Sequence, residues 1–233
     1  TVTIVDDDRV SLAVSNPSGP VTETNAAQPV PNAFRIALTG QSSTPVVVSY
    51  ATVDGTAQAP GDYLFAAGSV TFPAGATDPF VDIAVTVAGD TLPEPTEQLF
   101  LQVSGLGDVD VVTSYRAALQ INNDDAVEVF VPLTATVAEA PAASVVIAVS
   151  LSGPSDLSVQ VAYATADGTK ATAGADYTAR SGTLTFLPGV TALTVTVPIV
   201  DNFVAEADET FTLTLSAPVN AGLRAGAVRR GRV

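Results

Sequence analysis

VSYATVDGTAQAPGDYLFAAGSVTF, from Val48 to Phe72, is answered later in the same chain by VAYATADGTKATAGADYTARSGTLTF, from Val161 to Phe186. A second pair of blocks follows: DTLPEPTEQLFLQVSG (Asp90–Gly105) and NFVAEADETFTLTLSA (Asn202–Ala217). Asp54 and Asp167 stand 113 positions apart, and Glu97 and Glu209 stand 112 apart. A period that long is a whole domain, not a solenoid turn. The 233 residues therefore read as two tandem domains, each of a size that can bury its own core.

The quoted segments alternate with period two. Phe80-Val81-Asp82-Ile83-Ala84-Val85-Thr86-Val87 and Thr210-Phe211-Thr212-Leu213-Thr214-Leu215 put large apolar residues at every second position. Such runs, rich in Val, Thr, Ile and Phe, are strands. Gly, Pro, Asp and Asn interrupt them every 8–12 residues or so, the rhythm of a sandwich. The expected fold is all-β: two tandem antiparallel, immunoglobulin-like β-sandwiches of about seven strands each. Domain 1 spans 9–125 and domain 2 spans 126–233, with the boundary at Asn123–Ala126. The seventh strand of domain 2 would begin only near Arg230, so domain 2 is expected to lack its last strand. Asp54-Gly55 and Asp167-Gly168 read as hairpin turn pairs. Tyr50, Tyr163, Phe72 and Phe186 read as core.

Composition excludes several functions. The net charge is −15, from 24 acidic and nine basic residues, and Arg224, Arg229, Arg230 and Arg232 crowd the last ten positions. Phosphate-backbone binding needs clustered cations, so no nucleic-acid partner is expected. No Cys is present, which removes disulfides and thiolate metal sites. No His is present either, so a nucleophile–His–acid triad is impossible. With no Trp and only five Tyr and nine Phe, a sugar-stacking cleft for a carboxylate glycosidase is poorly supplied, and no enzyme is expected. No run of about 18 apolar residues would span a membrane. The absence of Met suggests a mature product or an excerpt. The acidic, Cys-free, Thr/Val/Ala-rich composition suggests an extracellular or cell-surface protein of a bacterium.

Most acids fall at strand ends and turns. In the first repeat these are Glu23, Asp62, Asp90, Glu94, Glu97, Asp124 and Asp125; in the second, Glu139, Asp176, Asp201, Glu206, Asp208 and Glu209. Loops of a sandwich gather at its two ends, so these acids could meet. Two like charges about 4 Å apart repel by roughly 4 kcal/mol at an effective dielectric near 20. Ca²⁺, which takes 6–8 oxygen ligands in flexible geometry, relieves such crowding; zinc would want His or Cys. Loop acids that only keep a surface soluble are the ordinary case. Against that, Glu94/Glu97 recurs as Glu206/Glu209, and Asp6-Asp7-Asp8 recurs as Asn123-Asp124-Asp125. Asp62 and Asp176, each before a Tyr, could cap a turn or ligate a metal.

Taken together, DGTA-x-A-G-x-DY, SGTLTF-x-PG, I-x-D-D-x-x-x-E-x-x-E-x-F and TVTI-x-DDD resemble the Calx-beta domain family. The second repeat carries DGTKATAGADY, SGTLTFLPG and IVDNFVAEADETF, and the first carries DGTAQAPGDY, GSVTFPAG and VAGDTLPEPTEQL. The resemblance implies Ca²⁺ at one end of each sandwich. Carried over, the ligands are Glu23, Asp62, Asp90, Glu94, Glu97, Asp124 and Asp125 in domain 1, and Glu139, Asp176, Asp201, Asn202, Glu206 and Glu209 in domain 2. Gly89 replaces the first loop Asp, Asn123 the first triplet Asp, and Asn202 a further loop Asp.

Two functions follow from the resemblance. One is a structural, adhesive, extracellular repeat module stiffened by Ca²⁺; its adhesion ligand is not identified by the sequence. The other is a Ca²⁺-sensing regulatory module of a larger membrane protein. The opening TVTIVDDD (1–8) reads as the closing strand of a preceding or neighbouring repeat. Paired into domain 2 of a neighbouring or identical chain, Thr1–Val5 would carry Asp6, Asp7 and Asp8 to its metal site and build a head-to-tail array or filament.

Overall fold

The structure, a computed structural model, describes residues 2, 9–105, 109, 111–131, 134–202, 207–224 and 228–232. It contains strands and no helix among these residues, so no helix is long and apolar enough to cross a membrane. The chain divides into two compact units, Thr1–Thr91 with Pro95–Asp124, and Leu92–Glu94 with Asp125–Val233.

The first repeat has nine strands: β1 (Ser11–Ser15), β2 (Val21–Thr22), β3 (Gln28–Thr39), β4 (Val46–Asp54), β5 (Ala67–Phe72), β6 (Phe80–Val87), β7 (Glu97–Ser104), β8 (Val111–Ser114) and β9 (Arg116–Asn122). They form a sheet β6-β3-β1-β8 and a sheet β2-β9-β7-β4-β5. The second repeat has β10 (Val127–Phe130), β11 (Thr134–Thr136), β12 (Ser144–Leu151), β13 (Val159–Asp167), β14 (Ser181–Phe186), β15 (Ala192–Pro198), β16 (Thr210–Val219), β17 (Ala221–Leu223) and β18 (Val228–Arg232). Its sheets, β15-β12-β10-β17 and β11-β18-β16-β13-β14, reproduce the first strand for strand.

Period two decides which side chains enter each core. On β7, Leu99, Leu101 and Val103 are buried between more accessible neighbours. On β16, Phe211, Leu213 and Leu215 do the same among threonines. The inward faces of both sheets supply one core per repeat. Phe34 and Phe72 lie in the first, Phe186 and Phe211 in the second, all essentially inaccessible. Tyr50 and Tyr163 sit at the core margin, half-buried. Each phenol lies over a glycine: a side chain at Gly68 or Gly182 would meet the Tyr50 or Tyr163 hydroxyl at 2.8 and 3.1 Å.

Three expectations are corrected. Among the described residues each repeat forms nine strands where about seven are expected. The additional strands, β2, β8 and their mates, span two to four residues, too few to show a period. The last strand of domain 2 is present. β18 pairs antiparallel with β16, Thr210 opposite Arg232, and parallel with β11, Thr134 opposite Arg230. That is the place of β9 between β7 and β2. Backbone pairing does not need the apolar alternation that Arg229, Arg230 and Arg232 obscure. Thr1–Val5, apart from Val2, lies outside the described residues, as do Asp6, Asp7 and Asp8.

The third correction concerns Asp54-Gly55 and Asp167-Gly168. β4 and β5 pair from Val46 with Phe72 to Ala51 with Ala67, so a long loop, not a two-residue turn, joins them. Neither Gly55 nor Gly168 has positive φ. Glycine is needed for close approach instead. A Cβ at Gly55 would stand 2.3 Å from the Gln98 carbonyl oxygen, and one at Gly168 would stand 2.1 Å from that of Thr210.

Candidate metal centre

Main-chain bonds gather the acidic loops. β2 runs parallel to the end of β9, Thr22 opposite Asn122, and Glu23 N–H donates to Asn122 O at 3.0 Å. Glu23, the first residue past β2, is thereby set beside the segment that leaves β9. Glu23, Asp124 and Asp125 present carboxylate oxygens within 4.8 Å of one another. Glu23 is only 4% exposed, and Asp125 Oδ2 is shut off from solvent.

A second trio forms around the loop between β4 and β5. Ala88 N–H donates to Asp62 O at 3.0 Å and Leu64 N–H to Thr86 O at 2.9 Å, fixing the Asp62-Tyr63 turn to the end of β6. Ala57 N–H donates to Gln98 O at 3.0 Å and Gln98 N–H to Thr56 Oγ1 at 2.9 Å, fixing the DGTA segment to the start of β7. Glu97 opens β7. Asp62, Glu94 and Glu97, all half-buried, have ligand oxygens within 4.8 Å of one another. Six of the seven acids expected in domain 1 thus fall into two trios. Asp90 is exposed and in neither.

Asp62 also caps its turn. Its Oδ2 accepts from Gln58 N–H at 2.6 Å, and its own N–H donates to Gln58 O at 2.9 Å. Asp176 repeats this with Thr172, at 2.7 and 3.0 Å. Asp54 and Asp167, read from sequence as turn residues, hold the loop. Asp54 Oδ1 accepts from Tyr63 Oη at 2.6 Å and Ala59 N–H at 3.1 Å. Asp167 Oδ1 accepts from Tyr177 Oη at 2.7 Å and Ala173 N–H at 2.9 Å. The sequence carried a signal for this pairing. The two loops differ by one residue in length, yet both keep their terminal DGT and DY.

The phenol, and after it the Ala59 N–H, holds the Asp54 carboxyl below its ordinary value. Burial first, then the bond to Asp54, pushes the Tyr63 phenol up to about 12; burial and Asp167 do the same for Tyr177. A raised phenol pKa contributes stability that is complete below the unfolded value near 10 and lost as pH rises through about 12. Metal-free protein titrated in alkali should therefore show two late-ionising tyrosines by absorbance, with stability falling across that window. Tyr63→Phe and Tyr177→Phe should each remove one late titration; an unchanged profile in both would contradict the assignment.

Gly89 lies where the resemblance expects an Asp. A Cβ there would stand 1.6 Å from Thr24 O and 2.7 Å from Ala26 O, so the loop after Glu23 fills the space. Gly89→Ala should lower the stability of the first repeat by about 1–3 kcal/mol, the usual range for overpacking. Melting in chelator reads this directly, and an unshifted transition would mean that the loop yields freely.

The second repeat keeps the frame and changes the acids. Ile199 bridges Tyr177, and Val200 N–H donates to Asp176 O at 3.0 Å. Asn202 N–H donates to Glu139 Oε1 at 3.0 Å, so that carboxylate closes on the neighbouring loop. Asp176 is buried at 8% exposure; Asp201 and Asp208 are exposed. Glu209 Oε2 is shielded from solvent. Glu206 lies outside the described residues. Among the described residues, acids of the second repeat form no trio of this kind.

In chemistry, the two trios offer carboxylate oxygens, crowded and partly withdrawn from water. Such donors suit a hard divalent cation of flexible coordination and offer nothing a soft metal would prefer. Two tandem β-sandwiches with acidic loop clusters define the class of protein. The family model for the Calx-beta domain matches twice, over residues 6–125 and 122–228, and the chain belongs to that family. Its first match takes in both trios whole.

Among solved structures, the apo-form Calx CBD1 domain is 29% identical, covering 46% of this chain and 96% of its own, with a TM-score of 0.44. CBD12 from CALX1.2 is 22% identical over 91% of this chain and 82% of its own, with a TM-score of 0.42. The calcium binding domain CBD12 of CALX1.1 is 22% identical over 89% and 81%, with a TM-score of 0.40. Among curated proteins, none matches.

Proposed function

We propose that this chain is a Ca²⁺-binding tandem module whose first repeat takes up the cation through Glu23, Asp124 and Asp125 and through Asp62, Glu94 and Glu97. The observation that carries this is the pair of carboxylate trios, each with ligand oxygens within 4.8 Å. Main-chain bonds gather on these loops three side chains of like negative charge. Ca²⁺ offsets it and accepts the irregular geometry that loops provide.

The module serves an extracellular, structural or adhesive protein as a repeat stiffened by its ions. The net charge of −15 and the absence of Cys support that setting. The same trios would also suit a Ca²⁺-sensing regulatory module of a larger membrane protein. Calorimetric titration of the metal-free chain with Ca²⁺ tests the proposal and separates the two roles. Dissociation constants of about 10⁻⁴–10⁻³ M fit extracellular modules, and about 10⁻⁷–10⁻⁵ M fit sensors. Absence of heat and of any Ca²⁺ uptake across both ranges would overturn the binding itself.

A further inference from the structure

We propose that Asp54 and Tyr63 act as positioning residues for Asp62, setting how tightly the first repeat holds its cation. This rests on the reading of Asp62, Glu94 and Glu97 as a Ca²⁺ group. A single oxygen, Asp54 Oδ1, receives both the Tyr63 hydroxyl and the Ala59 N–H. Those two contacts bracket the turn that contains Asp62. Just ahead of Ala59, Gln58 N–H fixes Asp62 Oδ2. On the far side, Ala88 N–H fixes the Asp62 carbonyl. Asp62 is thus held from both directions, through its side chain and through its carbonyl, and the Asp54–Tyr63 bond closes the turn around it.

The Tyr63 ring is fully buried and cannot follow the turn outward, so its hydroxyl anchors Asp54 to the core. Asp54 ends β4 and carries that anchorage to Ala59. Released from it, the turn keeps its local cap but loses its register against Glu94 and Glu97. A ligand set that is assembled only part of the time binds with an apparent affinity reduced by the assembled fraction. The second repeat holds Asp176 through Asp167 and Tyr177 in the same way, although its loop is one residue longer. The device therefore belongs to the frame and precedes the choice of acids around it.

Tyr63→Phe keeps the ring in the core and deletes only the donor. In calorimetric titration it is expected to bind Ca²⁺ about tenfold more weakly, as when the assembled fraction falls to about a tenth. Asp54→Asn, whose amide oxygen still accepts, should weaken binding less than Tyr63→Phe. In a Glu94→Gln/Glu97→Gln background, Tyr63→Phe should cause no further loss of Ca²⁺ binding while still lowering the melting temperature in chelator. Wild-type affinity in Tyr63→Phe, together with a lowered melting temperature, would make the bond purely structural and overturn the inference. Wild-type protein that takes up no Ca²⁺ would overturn the cation reading itself, and this inference with it.

Discussion

Phe186→Ala is expected to cost the second repeat about 3–5 kcal/mol, the usual result of truncating a fully buried aromatic. Phe186 ends β14 opposite Val159 of β13 and is completely inaccessible. Its ring lies in a core shared with Val159, Val161, Leu213 and the Tyr177–Phe211 pair, whose rings stack 4.6 Å apart. Close-packed interiors relax only partly around the cavity such a truncation leaves. Domains are commonly stable by about 5–15 kcal/mol, so the loss is a large share. Denaturant unfolding should show the second-repeat transition moved to lower concentration. Unchanged stability with altered ligand binding would instead make Phe186 a binding residue.

Ca²⁺ should raise the stability of the first repeat by about 2.7 kcal/mol at a hundredfold excess over its dissociation constant. For a domain of this size that is on the order of 10 °C in melting temperature. Glu94→Gln with Glu97→Gln should remove that part of the gain contributed by the Asp62 trio. The same change should raise stability in chelator, because it relieves repulsion among three neighbouring carboxylates. Opposite signs with and without the cation distinguish a binding site from a merely acidic surface. Equal melting in chelator and in millimolar Ca²⁺ for the wild-type chain would refute the stabilisation.

The strands were legible because alternation is a direct consequence of the pleat. Leu99, Leu101 and Val103 point inward at every second position, and the sequence shows that spacing. β2 and β8 were not legible, since two to four residues cannot display a period. β18 was hidden because its pairing uses main-chain groups, on which Arg229 and Arg230 have no bearing. At the site, the recurrence of Glu94/Glu97 as Glu206/Glu209 is legible, and of these Glu94 and Glu97 stand within 4.8 Å of another acid. The sequence did not reveal that Glu23 joins Asp124 and Asp125 while Glu94 and Glu97 join Asp62. That partition depends on β2 pairing with β9 and on the turn at Asp62 being tied to Ala88. The roles of Asp54 and Tyr63 were missed for a related reason. A carboxylate beside glycine reads locally as a turn, and its phenol partner lies a loop away. Gly89 looked like a lost ligand, and only the proximity of Thr24 O shows that a side chain has no room there.

The bonds that draw the loops together pass through main-chain groups and through Asp54 or Asp167, and they recur in both halves despite different acids around them. The frame and the identity of the acids set in it are therefore carried by separate sets of residues. Drift at a handful of loop positions can retune or silence one copy while its architecture survives intact. An array descended by duplication from such a unit can hold neighbours that saturate at different concentrations of one cation, and so respond over a broad range of salinity in steps rather than at a single threshold.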